Sequence, residues 1–470
     1  MIKILIHRKM AKQLQKSAIY LLAIIGLTTN TFAQTWQTVG QAGFSAGRAN
    51  YTSLAFNHTG EPYVAYMDGA NSDKATVMKF DGTNWITVGA AGFSSGRALS
   101  ISLAFSHTGE PYVAYTDFAN SNHITVMKFN GNNWVTVGTA GFSPGSALYS
   151  SLTFNGIGEP YVAFSWNAIG FKGGGMVMKF DGVNWVTVGT GNFSPSVSDY
   201  TSLAFSPSGE PYVAYRGSTT STTGAMVMKF DGTNWVNVGT QGFSTGSVEL
   251  FTSIAFNSKS DSDKPYVAYS DRLTSGKVTV MEFDGTNWNT VGIAGFSAGE
   301  AKYISLAFNH SGEPYVAYWD DGNSRKATVM KFDGTNWITV GTAGFSAGTA
   351  GYTSLAFSHT GEPYVAYGDY GNSGKATVMK FANTASVNET SNSITTVYPN
   401  PTNNLLNIDI STSLNTTENI NIMIVDITGK TVATHQLKIG NNTVNISHLA
   451  NGMYFIKSDE GGTATKFIKK

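Results

Sequence analysis

The sequence contains no cysteine and few charged residues. The absence of cysteine from 470 residues excludes disulfide bonds, thiolate nucleophiles, cysteine-ligated zinc and iron–sulfur clusters. Charged residues make up 13% of the chain, and 30 basic residues balance 30 acidic ones. The chain therefore lacks the cationic excess that attracts nucleic acids or anionic membrane surfaces. We expect stability from burial alone, no nucleic-acid partner, and neither a metal nor another cofactor.

Long hydrophobic runs are also absent. A membrane-spanning helix needs about 20 apolar residues, whereas the apolar run at residues 18–27 has only ten. Five basic residues and no acidic residue precede this run, and Thr31-Phe32-Ala33 follow it. A basic start, a short apolar stretch and small residues are typical of a secretory signal peptide. We predict a signal peptide over residues 1–33 and no transmembrane segment in the mature chain. A membrane anchor is the less favoured alternative, because the run is too short.

A repeated phrase, Pro-Tyr-Val-Ala followed by Tyr or Phe, dominates residues 34–383. Successive copies are 49 to 54 residues apart, and a constant period of this size indicates a propeller or a solenoid. The copies begin at Pro62, Pro111, Pro160, Pro211, Pro265, Pro314 and Pro363.

Each repeat contains four strand-like runs, as expected for a propeller blade. An Asn-Trp pair opens the fourth run in six repeats, but the seventh repeat ends at Phe381 without one. Residues 35–40, Thr-Trp-Gln-Thr-Val-Gly, are a good copy of the missing run. We therefore predict an all-β fold, a seven-bladed β-propeller over residues 34–383 whose N-terminal strand completes the last blade and closes the ring.

One internal exchange predicts the strand register. Six repeats have Glu before the repeated Pro and Lys in the third strand, for example Glu61 and Lys79, whereas the fifth repeat has Lys264 and Glu282. Such a coordinated reversal is expected of an antiparallel ion pair. It predicts that Glu61 lies opposite Lys79, and that Tyr63 lies opposite Val77.

The composition changes after residue 383. Residues 384–396 are polar and without periodicity, so we predict a linker there. Residues 397–470 contain short alternating runs separated by turn signals such as Asn451-Gly452, which predict a small C-terminal β-sandwich.

Several motifs in this last segment are characteristic of a known family. They are Tyr-Pro-Asn-Pro at residues 398–401, Asp-Ile-Thr-Gly-Lys-Thr-Val at 426–432, Leu-Ala-Asn-Gly-Met-Tyr-Phe-Ile-Lys at 449–457, and the lysine-rich end at 466–470. Residues 397–470 thereby resemble the C-terminal sorting domain of the Bacteroidetes type IX secretion system. The resemblance implies that the type IX machinery is a partner and that the protein is secreted or displayed on the outer cell surface. An ordinary immunoglobulin-like module is the alternative.

The repeats offer no set of catalytic residues. Acid, base and nucleophile are different tasks, whereas these repeats are nearly identical. Histidines recur in the first hairpin of four repeats, but hairpin tips on separate blades are too far apart to share a metal ion, and we interpret the histidines as turn residues. They are His58, His107, His310 and His359.

Ligand-binding candidates lie in the loops of one propeller face. Repeated Asp and Asn side chains could bind sugar hydroxyls, Tyr side chains could stack on sugar rings, and the third repeat adds further aromatic and basic residues. The alternative is that Asp and Asn shape turns and that the aromatic residues pack between blades. The candidates are Tyr51, Asp68, Asn71, Asp117, Asn120, Trp166, Lys172, Asp271, Trp319, Asp320, Asn323, Asp369 and Asn372.

Three functions are compatible with this sequence. The first is a secreted or surface-displayed binding protein that recognises glycans or polymer surfaces through many similar weak sites. The second is a polysaccharide lyase or glycoside hydrolase on a propeller scaffold, for which we find no carboxylate cluster unique to one face. The third is an adhesin or scaffold that binds another protein. The repetition favours the first.

Overall fold

The computed structural model describes residues 34–167, 174–194, 198–218, 223–244, 248–260, 263–383, 393–411, 420–427, 430–438, 440–458 and 465–470. They belong to two compact units, residues 34–383 and the part of the chain after residue 383. The predicted signal peptide, residues 1–33, and residues 384–392 of the predicted linker lie outside the described residues.

In its described part, the first unit consists of seven antiparallel four-stranded sheets, which we number one to seven in chain order. Sheets one to six are each built from four consecutive strands, whereas sheet seven combines the last three strands of the unit with its first. Sheet one has β2 (Ala49–Phe56), β3 (Pro62–Asp68), β4 (Lys74–Phe80) and β5 (Trp85–Thr87); sheet two has β6 (Ala98–Phe105), β7 (Pro111–Asp117), β8 (His123–Phe129) and β9 (Trp134–Thr136); sheet three has β10 (Ser146–Phe154), β11 (Pro160–Asn167), β12 (Gly175–Phe180) and β13 (Trp185–Thr187); sheet four has β14 (Ser198–Phe205), β15 (Pro211–Ser218), β16 (Thr223–Phe230) and β17 (Trp235–Asn237); sheet five has β18 (Val248–Phe256), β19 (Pro265–Asp271), β20 (Lys277–Phe283) and β21 (Trp288–Thr290); sheet six has β22 (Ala301–Phe308), β23 (Pro314–Asp320), β24 (Lys326–Phe332) and β25 (Trp337–Thr339); sheet seven has β26 (Ala350–Phe357), β27 (Pro363–Asp369), β28 (Lys375–Asn383) and β1 (Gln34–Thr38).

Short 3₁₀ helices connect the second and third strands in five of these sheets. Each follows an aspartate whose side chain accepts a hydrogen bond from the backbone two residues later. The helices are Gly69–Asn71, Phe118–Asn120, Arg272–Thr274, Asp321–Asn323 and Tyr370–Asn372.

The second strand of each sheet lies in the interior. Every residue of β3 is buried, which explains why Pro-Tyr-Val-Ala-Tyr-Met-Asp lacks the polar alternation of a half-exposed strand. The apolar side chains of one sheet pack face to face against those of the next, so that Tyr63 and Ala65 of sheet one share a cluster with Leu103 and Tyr115 of sheet two. The hydrophobic core is thus divided among the junctions between sheets.

A serine hydroxyl joins each sheet to its neighbour. In every first strand, a serine accepts a hydrogen bond of 3.0–3.1 Å from a backbone N–H of the adjacent sheet. Sheet one bonds to sheet seven by the same contact that joins all other neighbours. The pairs are Leu54 with Ser354, Leu103 with Ser53, Leu152 with Ser102, Leu203 with Ser151, Ile254 with Ser202, Leu306 with Ser253 and Leu355 with Ser305.

Strand β1 occupies the fourth position of sheet seven. It pairs antiparallel with β28, and Gln34 lies opposite Asn383. The indole of Trp36 donates a hydrogen bond of 2.8 Å to the carbonyl of Val340 and stacks on Phe345 with ring centroids 4.0 Å apart. Tryptophans that open the fourth strands of sheets one to six donate equivalent bonds to the preceding sheet; they are Trp85, Trp134, Trp185, Trp235, Trp288 and Trp337.

The structure corrects the predicted register by two residues. Lys79 Nζ and Glu61 Oε1 are 3.0 Å apart, so the predicted ion pair is present. The residue directly opposite Lys79 is Tyr63, however, and Val77 lies opposite Ala65. The prediction that Tyr63 faces Val77 is wrong because the long Lys and Glu side chains meet diagonally across the strands.

Four further repeats have the same ion pair, with N–O distances of 3.0–3.1 Å. Among the described ion pairs, none joins Lys264 to Glu282, so the reversed fifth repeat does not reproduce it; its Glu282 lies opposite Tyr266. The four pairs are Glu110–Lys128, Glu159–Lys179, Glu210–Lys229 and Glu313–Lys331.

The turns between third and fourth strands depend on a side-chain acceptor. Oδ1 of Asp81 accepts hydrogen bonds of 2.8 Å from the backbone N–H groups of Thr83 and Asn84. These bonds lower the pKa of Asp81. Sheet two has Asn130 in this position, and its amide oxygen accepts the same two bonds. The pKa is lowered for the same reason at Asp181, Asp231, Asp284 and Asp333.

The aspartates of these turns should make the stability of the folded protein sensitive to acid, and replacing them by asparagine should reduce this sensitivity. A carboxyl group with a lowered pKa in the folded state stabilises the protein above its ordinary pKa of about 4, and this stabilisation is lost as the pH falls through the lowered value. We expect a variant with asparagine at all five aspartates to lose less stability between about pH 4 and pH 2 than the wild type. Urea unfolding followed by tryptophan fluorescence measures this, since all nine tryptophans lie in residues 34–383. Equal acid losses in both proteins would contradict the prediction.

The second unit contains two antiparallel sheets. Its described strands are β29 (Ser393–Tyr398), β30 (Leu405–Ser411), β31 (Ile420–Asp426), β32 (Thr431–Leu437), β33 (Gly440–Asn445), β34 (Gly452–Ser458) and β35 (Thr465–Lys469). They pair in the orders β29-β30-β33 and β32-β31-β34-β35. Both sheets contribute to one core, in which Ile408 and Ile424 are fully buried. Strand β29 begins within the segment that was predicted to be a linker.

No helix in the described part of the chain has the length and apolar character that crossing a membrane requires.

Candidate functional site

The two ends of the sheets carry different loops. At one end, the connection into each first strand lies beside the connection between second and third strands; in sheet one, the N–H of Gly69 donates to the carbonyl of Arg48 at 2.9 Å. We call residues 44–51 and 67–74, together with their equivalents in other repeats, the loop face. The first hairpins and the Asp81-type turns form the opposite end, which we call the hairpin face.

The predicted aspartates of the loop face are buried. Asp68 is 1% exposed. Its carboxylate accepts hydrogen bonds from the N–H of Ala70 at 3.0 Å, the amide of Asn71 at 2.8 Å and the hydroxyl of Thr76 at 2.9 Å. Its oxygen atoms are thus occupied within the loop. Asp117, Asp271, Asp320 and Asp369 are equally buried and cap equivalent loops, and Asn120, Asn323 and Asn372 donate to their own aspartates as Asn71 does.

Tyr51 belongs to a series of aromatic side chains that contact one another from sheet to sheet. It lies in a bulge of the first strand, between the paired residues Asn50 and Ser53, with a φ of +54°. Its ring contacts Tyr352 of sheet seven with centroids 4.6 Å apart. Five such contacts join six aromatic residues, one from each sheet except sheet two, where Ser100 occupies the position. The other contacts are Tyr149–Tyr200, Tyr200–Phe251, Phe251–Tyr303 and Tyr303–Tyr352.

The remaining predicted residues are dispersed. Trp319 is 8% exposed and lies beneath Lys302 at 5.0 Å and Arg325 at 5.8 Å. Trp166 in sheet three donates a hydrogen bond of 2.9 Å to Asn192. Lys172 lies outside the described residues. The structure thus does not gather the predicted residues into one pocket.

Cation–aromatic pairs occur on the loop face of four consecutive sheets. The guanidinium of Arg48 in sheet one lies 5.0 Å from the ring centroid of Tyr370 in sheet seven and donates a hydrogen bond to its hydroxyl. Arg97 lies 5.2 Å from the ring of Phe118 in sheet two. These pairs, together with Trp319 and its two cations in sheet six, lie on neighbouring sheets, and we call them the cationic arc. Its residues are Arg48, Arg97, Phe118, Lys302, Trp319, Arg325 and Tyr370.

Two similar clefts lie between neighbouring sheets near the hairpin face. The cleft between sheets six and seven, about 350 Å³, is lined by Tyr315, Lys331, Thr339 and, from the next sheet, Glu362 and Phe381 among others. The cleft between sheets five and six measures about 470 Å³. The same repeat positions line it, namely Tyr266, Glu282, Thr290, Glu313 and Phe332.

The clefts combine a tyrosine with several hydrogen-bonding groups. Burial raises the pKa of Tyr315, although Lys331 opposes this effect, and burial together with Glu282 raises the pKa of Tyr266. Both phenols therefore keep their proton at neutral pH and can donate as well as accept. Hydroxyl and carboxylate groups beside an aromatic ring suit a ligand that presents both hydroxyl groups and apolar C–H surfaces.

Apart from Trp319, no residue named in the clefts or in the cationic arc was among the candidates chosen from the sequence. The cleft residues come from two repeats and from three strands of one sheet, so no linear motif unites them. For the cationic arc a signal does exist, because all five arginines after residue 33 fall in loop-face segments; they are Arg48, Arg97, Arg216, Arg272 and Arg325. Within the described residues, no group of three or more His, Asp or Glu side chains could hold a metal ion.

The chain has distant structural neighbours. They include a protein of unknown function from Dyadobacter fermentans (11% identity, TM-score 0.45, covering 74% of this chain and 98% of that one). PorZ, a surface component of the type IX secretion system of Porphyromonas gingivalis, has 15% identity and a TM-score of 0.47 and covers 91% and 60%. The Aleuria aurantia lectin in complex with α-methyl-L-fucoside has 15% identity and a TM-score of 0.43 and covers 64% and 98%. At TM-scores below 0.5, none of these similarities assigns a function to this chain.

The family comparison concerns the second unit. No curated protein matches the sequence, but residues 396–470 match the family model of the secretion system C-terminal sorting domain. This match confirms the sorting domain that the motifs at residues 398–401, 426–432 and 449–457 predicted. Such a domain indicates interaction with the type IX secretion machinery and a secreted or cell-surface location. The chain therefore carries, at residues 396–470, a secretion system C-terminal sorting domain.

Proposed function

We propose that residues 34–383 form a seven-bladed β-propeller closed by β1, and that this ring is an exported binding module for polysaccharides. In this proposal, a signal peptide over residues 1–33 and the sorting domain direct the ring to the outer surface or the medium. The ring binds one polymer through several equivalent clefts between its blades.

The observation that carries the proposal is the repetition of one cleft at adjacent junctions. Both clefts place a tyrosine, a threonine and a glutamate at the same repeat positions. A saccharide unit has hydroxyl groups for the polar side chains and a C–H face for the aromatic rings. A polymer repeats that unit, so several weak sites on one ring can engage one chain, and linked binding raises the overall affinity without any new contact.

Large side chains placed in the clefts test the proposal. Thr290 and Thr339 are exposed cleft-lining residues, so tryptophan at these positions fills the cleft without burying a polar group. We expect the full-length protein to be retarded in native gels containing xylan, β-glucan or mannan. The variant Thr290→Trp/Thr339→Trp should bind about tenfold more weakly, because two of the linked sites are lost.

Thr335→Trp is the matched control. Thr335 is also an exposed threonine of sheet six, but it belongs to the turn between the third and fourth strands and lies outside the lining of both clefts, so this variant should bind as the wild type does. Failure of the folded wild-type protein to bind any of the three polysaccharides would overturn the proposal. Equal losses in Thr335→Trp and Thr290→Trp/Thr339→Trp would overturn the assignment to the clefts.

A further inference from the structure

The charged residues are distributed unequally between the two faces. In the loop-face segments, ten Lys and Arg residues have described side chains. Nine acidic side chains are described there: Asp321 is exposed, Asp73, Asp199 and Glu300 are half-buried, and the five capping aspartates are buried. On the hairpin face, the described first hairpins, the ends of the third strands and the following turns together contain thirteen carboxylates and eight lysines but no arginine. The loop face is thus close to charge balance, whereas the opposite end is acidic, so an anionic ligand is favoured at the loop face over the hairpin face.

We propose that the cationic arc is a second binding surface, whose ligand is an acidic polysaccharide bearing carboxylate or sulfate groups. This surface is distinct from the clefts, which lie near the hairpin face. A guanidinium offers a fork of donors that matches a carboxylate or sulfate group. An adjacent aromatic ring supports the C–H face of a sugar.

The side chains of the arc are available to such a ligand. Phe118 is 41% exposed and Tyr370 is 45% exposed, although large apolar side chains are usually buried. Arg48 and Arg97 are also exposed, and the side chain of Arg325 is 64% exposed. Arg48 and Arg97 each lie beside an exposed ring, so that ring and cation can contact one sugar residue together. Trp319 is covered by Lys302 and Arg325, so sheet six offers the ligand its cations.

Neighbouring carboxylates leave the cations only partly compensated. Arg97 lies 3.5 Å from Asp73, Arg325 lies 3.2 Å from Asp321, and Lys302 lies 3.1 Å from Glu300. The first two are exposed pairs, which contribute little and exchange readily with solvent. Among the described residues, no ion pair involves Arg48, whose partner is the neutral Tyr370.

By contrast, Arg216 does not belong to this surface. Its guanidinium bonds to Asp199 at 2.9 Å and to the carbonyl of Val248 at 2.9 Å. Both contacts hold neighbouring strands together, and none of the cation–aromatic pairs among the described residues of the loop face involves Arg216. The arc therefore extends from sheet six through seven and one to two, and it crosses the junction between the first and last repeats.

The test compares polymers that differ in charge. We expect the full-length protein to bind alginate or dextran sulfate, and this binding to weaken as salt is raised, because the ions screen exposed charges. Uncharged dextran should not compete. Single-stranded DNA is a third test ligand, because it is negatively charged but has no acidic sugar ring. Tighter binding of DNA than of both acidic polysaccharides would overturn the assignment of the ligand class.

Variants locate the surface. Arg48→Gln/Arg97→Gln/Arg325→Gln should reduce binding to the acidic polysaccharide at least tenfold, while binding of neutral polysaccharides by the clefts stays unchanged. Phe118→Ala/Tyr370→Ala should weaken binding with little change in the salt dependence, because the charge is retained. Lys259→Gln/Lys264→Gln removes positive charge from the hairpin face and serves as the matched control. An equal loss in this control, or no loss in the arginine variant, would overturn the proposal. If the clefts did not bind neutral polysaccharides, the expected results for the acidic polysaccharide would still hold.

Discussion

Replacement of Trp36 by alanine is expected to destabilise the repeat unit by about 3 kcal/mol, the usual cost of removing a large packed aromatic side chain. The indole stacks on Phe345 and donates to the carbonyl of Val340, and β1 has few other contacts of this strength. The substitution should therefore also release β1 from β28 and expose the edge of sheet seven. Urea unfolding followed by tryptophan fluorescence measures the stability, and limited proteolysis near residue 34 measures the release.

Two comparisons make this result specific. Trp36→Phe keeps an aromatic ring but loses the hydrogen bond, so it should cost about 1 kcal/mol. Trp337→Ala removes the equivalent ring from β25, which is joined to the chain on both sides. It should cost a similar amount of stability without making the N-terminal segment sensitive to protease. If Trp36→Ala were as stable and as resistant as the wild type, the proposal that β1 closes a ring of sheets would be wrong.

Removal of the Asp320 carboxylate should have an effect of similar size for a different reason. This side chain is fully buried and accepts hydrogen bonds from the N–H of Gly322 at 3.1 Å, the amide of Asn323 at 2.7 Å and the hydroxyl of Thr328 at 3.0 Å. Alanine leaves these buried donors without an acceptor, and each such group costs about 1–3 kcal/mol. We expect Asp320→Ala to lower the free energy of unfolding by about 3 kcal/mol or more.

The neighbouring residue provides the control. Asp321 is a carboxylate one position later, but it is largely exposed and forms only an ion pair of 3.2 Å with Arg325. Asp321→Ala should cost less than about 1 kcal/mol. If Asp320→Ala were as mild as Asp321→Ala, the buried carboxylate would contribute little to the loop. Asparagine at position 320 would keep one acceptor oxygen, so Asp320→Asn is the variant on which binding at the loop face should be measured.

The sequence predicted the sheets better than it predicted the register and the surfaces. Period, turn signals and tryptophan spacing depend on neighbours within about fifty residues, so they can be counted along the chain. The position of Tyr63 relative to Lys79 was missed because Glu61 reaches diagonally across the strands. The left-handed conformation of Tyr51 was not expected, because such a φ usually selects Gly, Asn or Asp.

The site residues depend on contacts that lie far apart in the chain. Aspartate is a common ligand-binding residue. Only the burial of Asp68 and its hydrogen bonds with Asn71 and Thr76 identify it as part of the loop framework. Arg48 and Tyr370 are separated by 322 residues, so their pairing follows from the junction of sheets one and seven. Position in a repeat can predict a turn, but it does not predict which repeats become neighbours.

The pairing of Gln34 with Asn383 also constrains when the protein can mature. The first strand of the unit has its partner in the last one, which ends at residue 383, so the seventh sheet cannot be completed before the chain has been synthesised to that residue, and contacts between such distant segments form slowly. Until then β1 has no partner strand, and the unit is incomplete for most of its synthesis.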